Sequence, residues 1–311
     1  MENKKSNFSC LIHEICNEEN IELYGLADNW VYQLKKNGLE RHIFGYQFGL
    51  NSAVCASLCL DKGACSELLS AHNVPNIEHI CLMSPAKMKY VSQNGAWKPA
   101  IQLLDKYGTL VVKENEGTAG DGVYLVHNQL ELEETTCKIF GAGRSVAISP
   151  YTEMLEEYRI IILDGEVQVI FSKNRPHLVG DGKHTLLELY AAQILENAQF
   201  SSYGIPTIQQ KRVLEEGEKW NFIWKHNLGQ GAGAILHREE ELQEEVALAK
   251  RAFACVGARF ASCDVVKTKG GCKILEINSG VMMENLAGTS SEARRLAKSI
   301  YRKAILKMFE G

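Results

Sequence analysis

The stretch that decides the fold is DVVKTKGGCKILEIN, residues 264–278. It reads as two short apolar-rich strands around a Lys269-Gly270-Gly271 turn. Three-residue hairpin loops place one residue in the left-handed conformation, which glycine adopts without steric cost. A hairpin symmetric about Gly270 sets Asp264 opposite Glu276. Asn278, two residues on, points to the same face because strand side chains alternate. Cross-strand neighbours sit about 5 Å apart, and like charges that close repel unless a cation lies between them. A few hard oxygen donors, with coordination positions left for phosphate, describe a magnesium site. The same face alone would also suit a solvated turn, so the rest of the chain decides.

At 311 residues the chain can hold two or three lobes with a buried core. Its composition is that of a globular protein, 45% hydrophobic and 23% charged with 6 prolines. A net charge of -4 and a pI near 6.2 argue against nucleic-acid binding through a broad basic surface. No apolar run approaches the roughly 18–20 residues that a membrane helix needs. The segment MENKKSNFSCLIHEICNEEN lacks the apolar region of a signal peptide. Neither nucleic acid nor membrane is expected as a partner, and the expected location is cytoplasmic. The 10 cysteines are scattered with no CxxC pair, which suits reduced thiols acting as small hydrophobes rather than a zinc site. Cys55 and Cys59, four apart, fit one face of a buried helix.

The first 75 or so residues read as a small α/β unit, with a helix expected over 27–39 that ends at Gly38. A helix broken near Gly63 precedes Val74-Pro75, and a second helix covers 96–106. TLVVKEN (109–115) and GVYLVHN (122–128) are strands flanking a glycine loop. YRIIILDGEVQVIFSK is two strands joined at Asp164-Gly165, a tight-hairpin dipeptide. Amphipathic helices follow in TLLELYAAQILENAQ, EEELQEEVALAKRAFACVG and the final SSEARRLAKSIYRKAILKMFEG. Hairpins mixed with helices imply an α+β fold rather than one parallel sheet.

The second chemical signal is KENEGTAGDG, residues 113–122. A strand delivers Lys113, and three glycines within six residues then let backbone N–H groups approach an anion. A Walker loop would put the lysine after the glycines and a helix next, whereas here the lysine comes first and a strand follows. A glycine hairpin that covers phosphates is the natural alternative.

Together these segments resemble the ATP-grasp superfamily, specifically its carboxylate–amine ligases. VVKENEGTAGDGV is similar to the family's strand–lysine–glycine-loop segment, and DVVKTKGGCKILEINSG to its metal-binding hairpin. ASLCLDKGACSELLSAHNVP resembles the stretch where an Asp-Lys pair opens a helix, and SPYTEMLEEYRIIILDGEV the hinge and following strand. FSKNRPHLVGDGKHTLLELYAAQ is most like cyanophycin synthetase and the ATP-grasp domain of bifunctional glutathione synthetase. The resemblance implies an N-terminal pre-ATP-grasp domain over 1–75, a lid lobe over 76–152 and a C-terminal lobe with the magnesium site over 153–311.

By the same resemblance Lys62, Lys113 and the loop residues Gly117, Thr118, Ala119, Gly120 and Gly122 contact the ATP phosphates. Glu153, Met154 and Leu155 form the hinge against adenine, and Glu157 accepts from the ribose hydroxyls. Asp264, Glu276 and Asn278 hold magnesium, two ions in the family pattern, with manganese as an alternative. Arg159 and Arg175 are candidates for phosphate or acyl-phosphate contacts, each weighed against a surface ion pair. Asn227, in KHNLGQGAGA, matches an active-site asparagine less closely, and an Asn-capped turn explains it almost as well. Two departures stand out. Ser262 occupies the place where D-alanine ligases carry an arginine, and NSGVMMENL lacks the proline often found after the asparagine. Met282, Met283 and Glu284 there read equally as a substrate wall or as packing beside a solvated acid.

The implied reaction joins a carboxylate to an amine through an acyl-phosphate at the expense of ATP. The carboxylate belongs to an amino acid or short peptide, with Arg175, Lys183, His184 and Lys225 as candidate carboxylate holders. The amine belongs to a small molecule, a peptide or a carrier protein, and a homodimer or homotetramer is the expected assembly. A phosphotransferase on the same fold and a nucleotide-binding protein without turnover are the competing readings.

Overall fold

The computed structural model describes residues 6–90, 97–117, 122–173, 177–196, 205, 207–221 and 234–310. The chain divides into two units, Met1–Phe171 with Leu236–Gly311, and Ser172–Ile235. The larger unit begins with helix α1 (Asn7–Glu18), whose N-terminal amide at Ser9 is capped by the Ser6 hydroxyl at 3.1 Å. An antiparallel meander follows: β1 (Glu22–Leu26), β2 (Val31–Lys36) and β3 (Leu39–Phe44).

This meander replaces the helix expected over 27–39. Tyr32 and Leu34 are buried while Val31, Gln33 and Lys35 are half-buried, the period of two that marks a strand. Asn37 and Gly38 both take positive φ, 51° and 76°, the two-residue turn that Asn-Gly favours between paired strands. Gly38 therefore closes a hairpin, and the Asn before it was the sequence signal for that.

Helices α2 (Ala53–Leu60) and α3 (Lys62–Ala71) are separated at Asp61, whose carboxylate caps α3 through the Ala64 amide at 2.9 Å. Cys55 and Cys59 share the buried face of α2 as their spacing predicts. The chain then builds a four-stranded antiparallel sheet. Its elements are β4 (Ile80–Leu82), α4 (Pro85–Met88), α5 (Trp97–Tyr107), β5 (Leu110–Glu114), β6 (Val123–Val126), α6 (Gln129–Gly141) and β7 (Val146–Pro150), with strand order β4-β7-β5-β6. Leu110, Val112, Val126 and Ile148 pack against Ala100, Leu104, Leu132 and Ile139 of α5 and α6. Lys113, next to the inward Val112, lies on the opposite face of this sheet.

The main sheet contains β8 (Glu156–Leu163) and β9 (Glu166–Lys173), joined where Asp164 and Gly165 take φ of 48° and 83°. The smaller unit holds the antiparallel pair β10 (His177–Val179) and β11 (Lys219–Asn221) with helix α7 (Leu186–Glu196). Leu178, Leu186, Tyr190, Ile205 and Leu214 form its core. Returning through β12 (Ala234–His237) and helix α8 (Gln243–Val256), the chain adds β13 (Phe260–Thr268) and β14 (Gly271–Asn278). The order is β12-β9-β8-β13-β14. Ile160, Ile162, Cys263, Val265, Ile274 and Ile277 pack one face of this sheet against α2, α3 and α8, while on the other face Phe260 packs against Phe48 and Asp264 lies further along the strand. Helices α9 (Glu284–Ala287) and α10 (Ser291–Glu310) complete the unit. All 10 cysteines are free.

The approach of α3 to β4 is tight at one glycine. A Cβ on Gly63 would lie 2.5 Å from the Cys81 Cβ, with the Cys81 Cα 3.5 Å away. Gly63→Ala is expected to lower stability by about 1–3 kcal/mol through overpacking. Urea unfolding would show the loss as a lower midpoint at unchanged slope, and an unchanged midpoint would contradict this packing.

Candidate functional site

The hairpin β13–β14 carries the acidic residues, and its register explains how. Thr268 pairs with Gly271, Lys267 with Cys272, Val266 with Lys273 and Val265 with Ile274. Gly271 takes φ of 96°, the left-handed residue that this turn requires. The register then slips by one residue, leaving Leu275 as a bulge, and resumes with Asp264 opposite Glu276 and Ser262 opposite Asn278. Buried Cys272 and Ile274 are followed by buried Ile277, an interval of three where an unbroken strand would show two. Symmetry about Gly270 thus holds at Asp264–Glu276 because the bulge restores the residue that the tight turn omits. Continuing the turn's register would set Asp264 against Leu275 and aim Glu276 at the core.

On the other side of β13, β8 places Arg159 opposite Asp264 and Glu157 opposite Val266. Glu157 and Arg159 are two apart and so share the acidic face. Arg159 forks onto Asp264, Nε to Oδ1 at 2.7 Å and Nη2 to Oδ2 at 2.6 Å. Burial disfavours the guanidinium charge, but Asp264, with Glu276 and Glu157 behind it, more than offsets this and holds the pKa above the ordinary arginine value. Arg159 is therefore in an ion pair, but a largely buried one with a predicted metal ligand, since Asp264 is only 1% exposed. The alternation Glu157-Tyr158-Arg159 on a strand was the signal that could have placed Arg159 there. Asn278 Nδ2 donates to Glu276 Oε1 at 3.1 Å, which turns its amide oxygen away from that carboxylate.

Two lysines come to this face. Lys62, at the start of α3, donates from Nζ to the carbonyls of Asn115, at 3.2 Å, and Gly117. Asn115, which sequence reasoning passed over, is buried; its side-chain oxygen accepts from the Gly63 amide at 3.0 Å. The glycine loop is thereby tied to the α3 N-terminus at its first glycine. Gly122, at the far end, has φ of 62°. Thr118, Ala119 and Gly120 lie outside the described residues, as do Arg175, Lys225 and Asn227. Burial lowers the Lys62 pKa, with Glu276 the strongest opposing charge. Lys113 shows the same pattern, with Glu276 and Glu157 opposing and Lys62 reinforcing its fall to about 8. Asp264, Glu276 and Glu157 thus share one electrostatic neighbourhood with Lys62, Lys113 and Arg159, and Asp61, Glu114 and Glu116 add further negative charge near Lys62.

Both chain segments leading into and out of the four-stranded sheet are pinned to the hairpin. Ile77 N donates to Ile274 O and Ile274 N to Pro75 O, each at 2.9 Å. Leu155 N donates to Lys267 O at 2.8 Å, and Glu153 pairs with Lys269 at 2.8 Å, so Glu153, Met154 and Leu155 run beside the hairpin. His79, close to the first segment, is buried; its Nδ1–H donates to Ile77 O at 2.7 Å. Burial, with Lys113 adding, holds the His79 pKa well below the usual histidine value, so the ring is neutral.

Glu284 is not a solvated acid. It accepts from the Phe8 amide at 3.0 Å and from the Tyr46 hydroxyl, and Met283, with 1% exposure, packs inside. This segment therefore secures α1 and the β3 loop, while Met282 stays partly exposed. In the smaller unit the exposed His184 pairs with Asp181.

The donor set fits magnesium. Asp264, Glu276 and the Asn278 amide oxygen are hard ligands, and a carboxylate has about four lone-pair sites, so the two N–H bonds from Arg159 do not exhaust Asp264. The buried lysines make a stability prediction. In the unfolded chain Lys113 titrates near 10.5, so the unfolded state binds more protons between pH 8 and 10.5 and stability rises with pH there. Lys113→Met should raise the melting temperature of ligand-free protein by a few degrees near pH 7. The gain should shrink as pH climbs from 8 towards 10.5. A lower melting temperature at pH 7, or a gain that grows with pH, would contradict this.

Comparison with known proteins bears on the fold. No family model matches the chain. It is 22% identical over 261 residues to the cyanophycin synthetase of Trichormus variabilis and 23% to that of Nostoc sp.. Each match covers 74% of this chain and 26% of the relative, so the chain spans about a quarter of these relatives' length. Among solved structures, a bifunctional glutathione synthetase from Pasteurella multocida superposes with a TM-score of 0.53 at 14% identity, covering 96% of this chain and 44% of that one. A D-alanine–D-alanine ligase from Bacillus anthracis gives 0.51 at 19% identity, covering 83% and 69%. Among the described residues no helix is long and apolar enough to cross a membrane. The chain has the α+β ATP-grasp fold of these two structures.

Proposed function

We propose that the protein is an ATP-dependent, ADP-forming carboxylate–amine ligase. The observation that carries this reading is the shared face of Asp264, Glu276 and Asn278, with Lys62 and Lys113 in its electrostatic field. Bound ATP would transfer its γ-phosphoryl group to a carboxylate, releasing ADP, and an amine would then attack the acyl carbon and expel phosphate; a magnesium ion held here would supply charge neutralisation on the phosphate oxygens. Asp264, Glu276 and Asn278 would hold the metal. Lys113, whose ammonium has no hydrogen bond to the protein among the described residues, offers its protons to phosphate. Lys62 does so while anchoring the glycine loop at Gly117. Glu157, buried and acceptor-only when ionised, receives the ribose hydroxyls, and the backbone of Glu153, Met154 and Leu155 reads adenine.

Arg159 orients Asp264, a positioning role that its ion pair supports better than direct phosphate contact. ATP with one magnesium keeps negative charge that a second ion would neutralise. That residual charge supports a two-ion site. Residues 76–152 serve as the lid, with 1–75 and 153–311 as the flanking domains, and Gly117–Gly122 excludes water that would hydrolyse the acyl-phosphate. The substrate is an amino acid or short peptide, a reading supported by the names of the similar proteins. Ten free thiols support a reducing, cytoplasmic setting.

Amino-acid pairs should be screened for ADP release, with products identified by mass. Release that needs both acid and amine, with a product of acid plus amine minus water, is expected. ADP formed without an amine and a phosphorylated product would indicate a kinase instead. Glu276→Ala and Lys113→Ala should each lower turnover by at least about a thousandfold while the folded spectrum is kept. Near-normal turnover in either would sink the assignment.

A further inference from the structure

His79 belongs to no motif that the reading above uses, yet it sits at the metal hairpin. It lines a small cavity between α3 and β14 with Lys62, Ser66, Asn76, Leu275 and Glu276. The cavity volume is about 10 Å³, room for roughly one water molecule. The His79 ring is fixed on two sides. Its amide donates to Ser66 Oγ at 3.0 Å, and its Nδ1 faces the Ile77 carbonyl at 2.7 Å. A carbonyl only accepts, so Nδ1 carries the proton and Nε2 presents a lone pair. That Nε2 is buried without a partner among the described residues, in a residue only 6% exposed. Buried acceptors are rarely left so, because an unmade hydrogen bond costs free energy.

The groups around the cavity complement one another. Lys62 donates two of its three ammonium protons to the Asn115 and Gly117 carbonyls, which leaves one. Glu276 and His79 Nε2 are acceptors. One water can accept from Lys62 and donate to both.

We propose that His79 is a positioning residue of the nucleotide site, acting through a single buried water that links its Nε2 to Lys62 and Glu276. The water holds the phosphate-binding lysine and the metal-binding carboxylate in a fixed relation, behind the Leu275 bulge that aims Glu276. This inference rests on the ligase reading only for the ligand it names, Mg-ATP.

Two substitutions separate this role from simple packing. His79→Asn keeps an N–H near the Ile77 carbonyl and removes the acceptor, whereas His79→Gln carries an amide oxygen to the Nε2 position. Calorimetric titration with Mg-ATP should show His79→Asn weakened about tenfold and His79→Gln within about threefold of wild type. Unchanged affinity in His79→Asn, or equal weakening in both, would overturn the proposal. A high-resolution crystal structure of the wild-type protein should show a water bonded to His79 Nε2, and a dry cavity there would overturn it too. Wild-type protein that binds no Mg-ATP would instead count against the ligase reading, and the crystallographic water would still decide the role of His79.

Discussion

One extra residue in a strand sets which side chains share the acidic face of this protein. The turn of the β13–β14 hairpin fixes a register that, continued unbroken, would bury Glu276 in the core. The bulge at Leu275 shifts that register by one, so that Glu276 faces Asp264 and Asn278 joins them. Because side chains alternate, a one-residue slip moves every later residue to the other face. Ile277 turns inward to the core with the same slip, so packing of the apolar face and assembly of the acidic face are a single event. Bulges are common beside active sites because they re-aim a side chain at little cost to the rest of a sheet.

The acidic face is stabilised from the far side of β13. Asp264 is nearly inaccessible, and an uncompensated carboxylate there would be costly. Arg159 compensates it with two short hydrogen bonds, and the lysines balance Glu276 and Glu157. Balance of this kind keeps the site folded without ligand, at the cost of two lysines whose charge burial disfavours. The same hairpin also anchors both segments that lead to the four-stranded sheet, through Ile274 on one strand and Lys267 on the other. The backbone proposed to hold magnesium and the segments that lead to the four-stranded sheet are therefore joined directly.

Much of this was legible in the sequence because it depends on local rules. Gly-Gly and Asp-Gly marked turns, alternation marked β5, β8 and β13, and Asp264 was set against Glu276 by counting from the turn. The count reached the right pair although both the turn and the strand departed from ideal register, and the two departures cancelled. The bulge itself was not legible: Ile274-Leu275 is simply two adjacent apolar residues until the core chooses Ile274 and Ile277. The helix expected over 27–39 failed because the Asn-Gly turn was taken as a helix end, when Tyr32 and Leu34 were already in strand alternation. Arg159–Asp264 and the His79 cavity join residues 105 and 197 positions apart respectively from their hairpin partners, contacts that only the tertiary fold brings about.

The central claim is that the bulged hairpin holds magnesium for ATP. A crystal structure with magnesium and a non-hydrolysable ATP analogue tests it most directly. The account predicts an ion about 2.0–2.1 Å from oxygens of Asp264, Glu276 and Asn278, bridging to the analogue's phosphates beside Lys62 and Lys113. Nucleotide bound away from this face, or an ion held without Glu276, would contradict it.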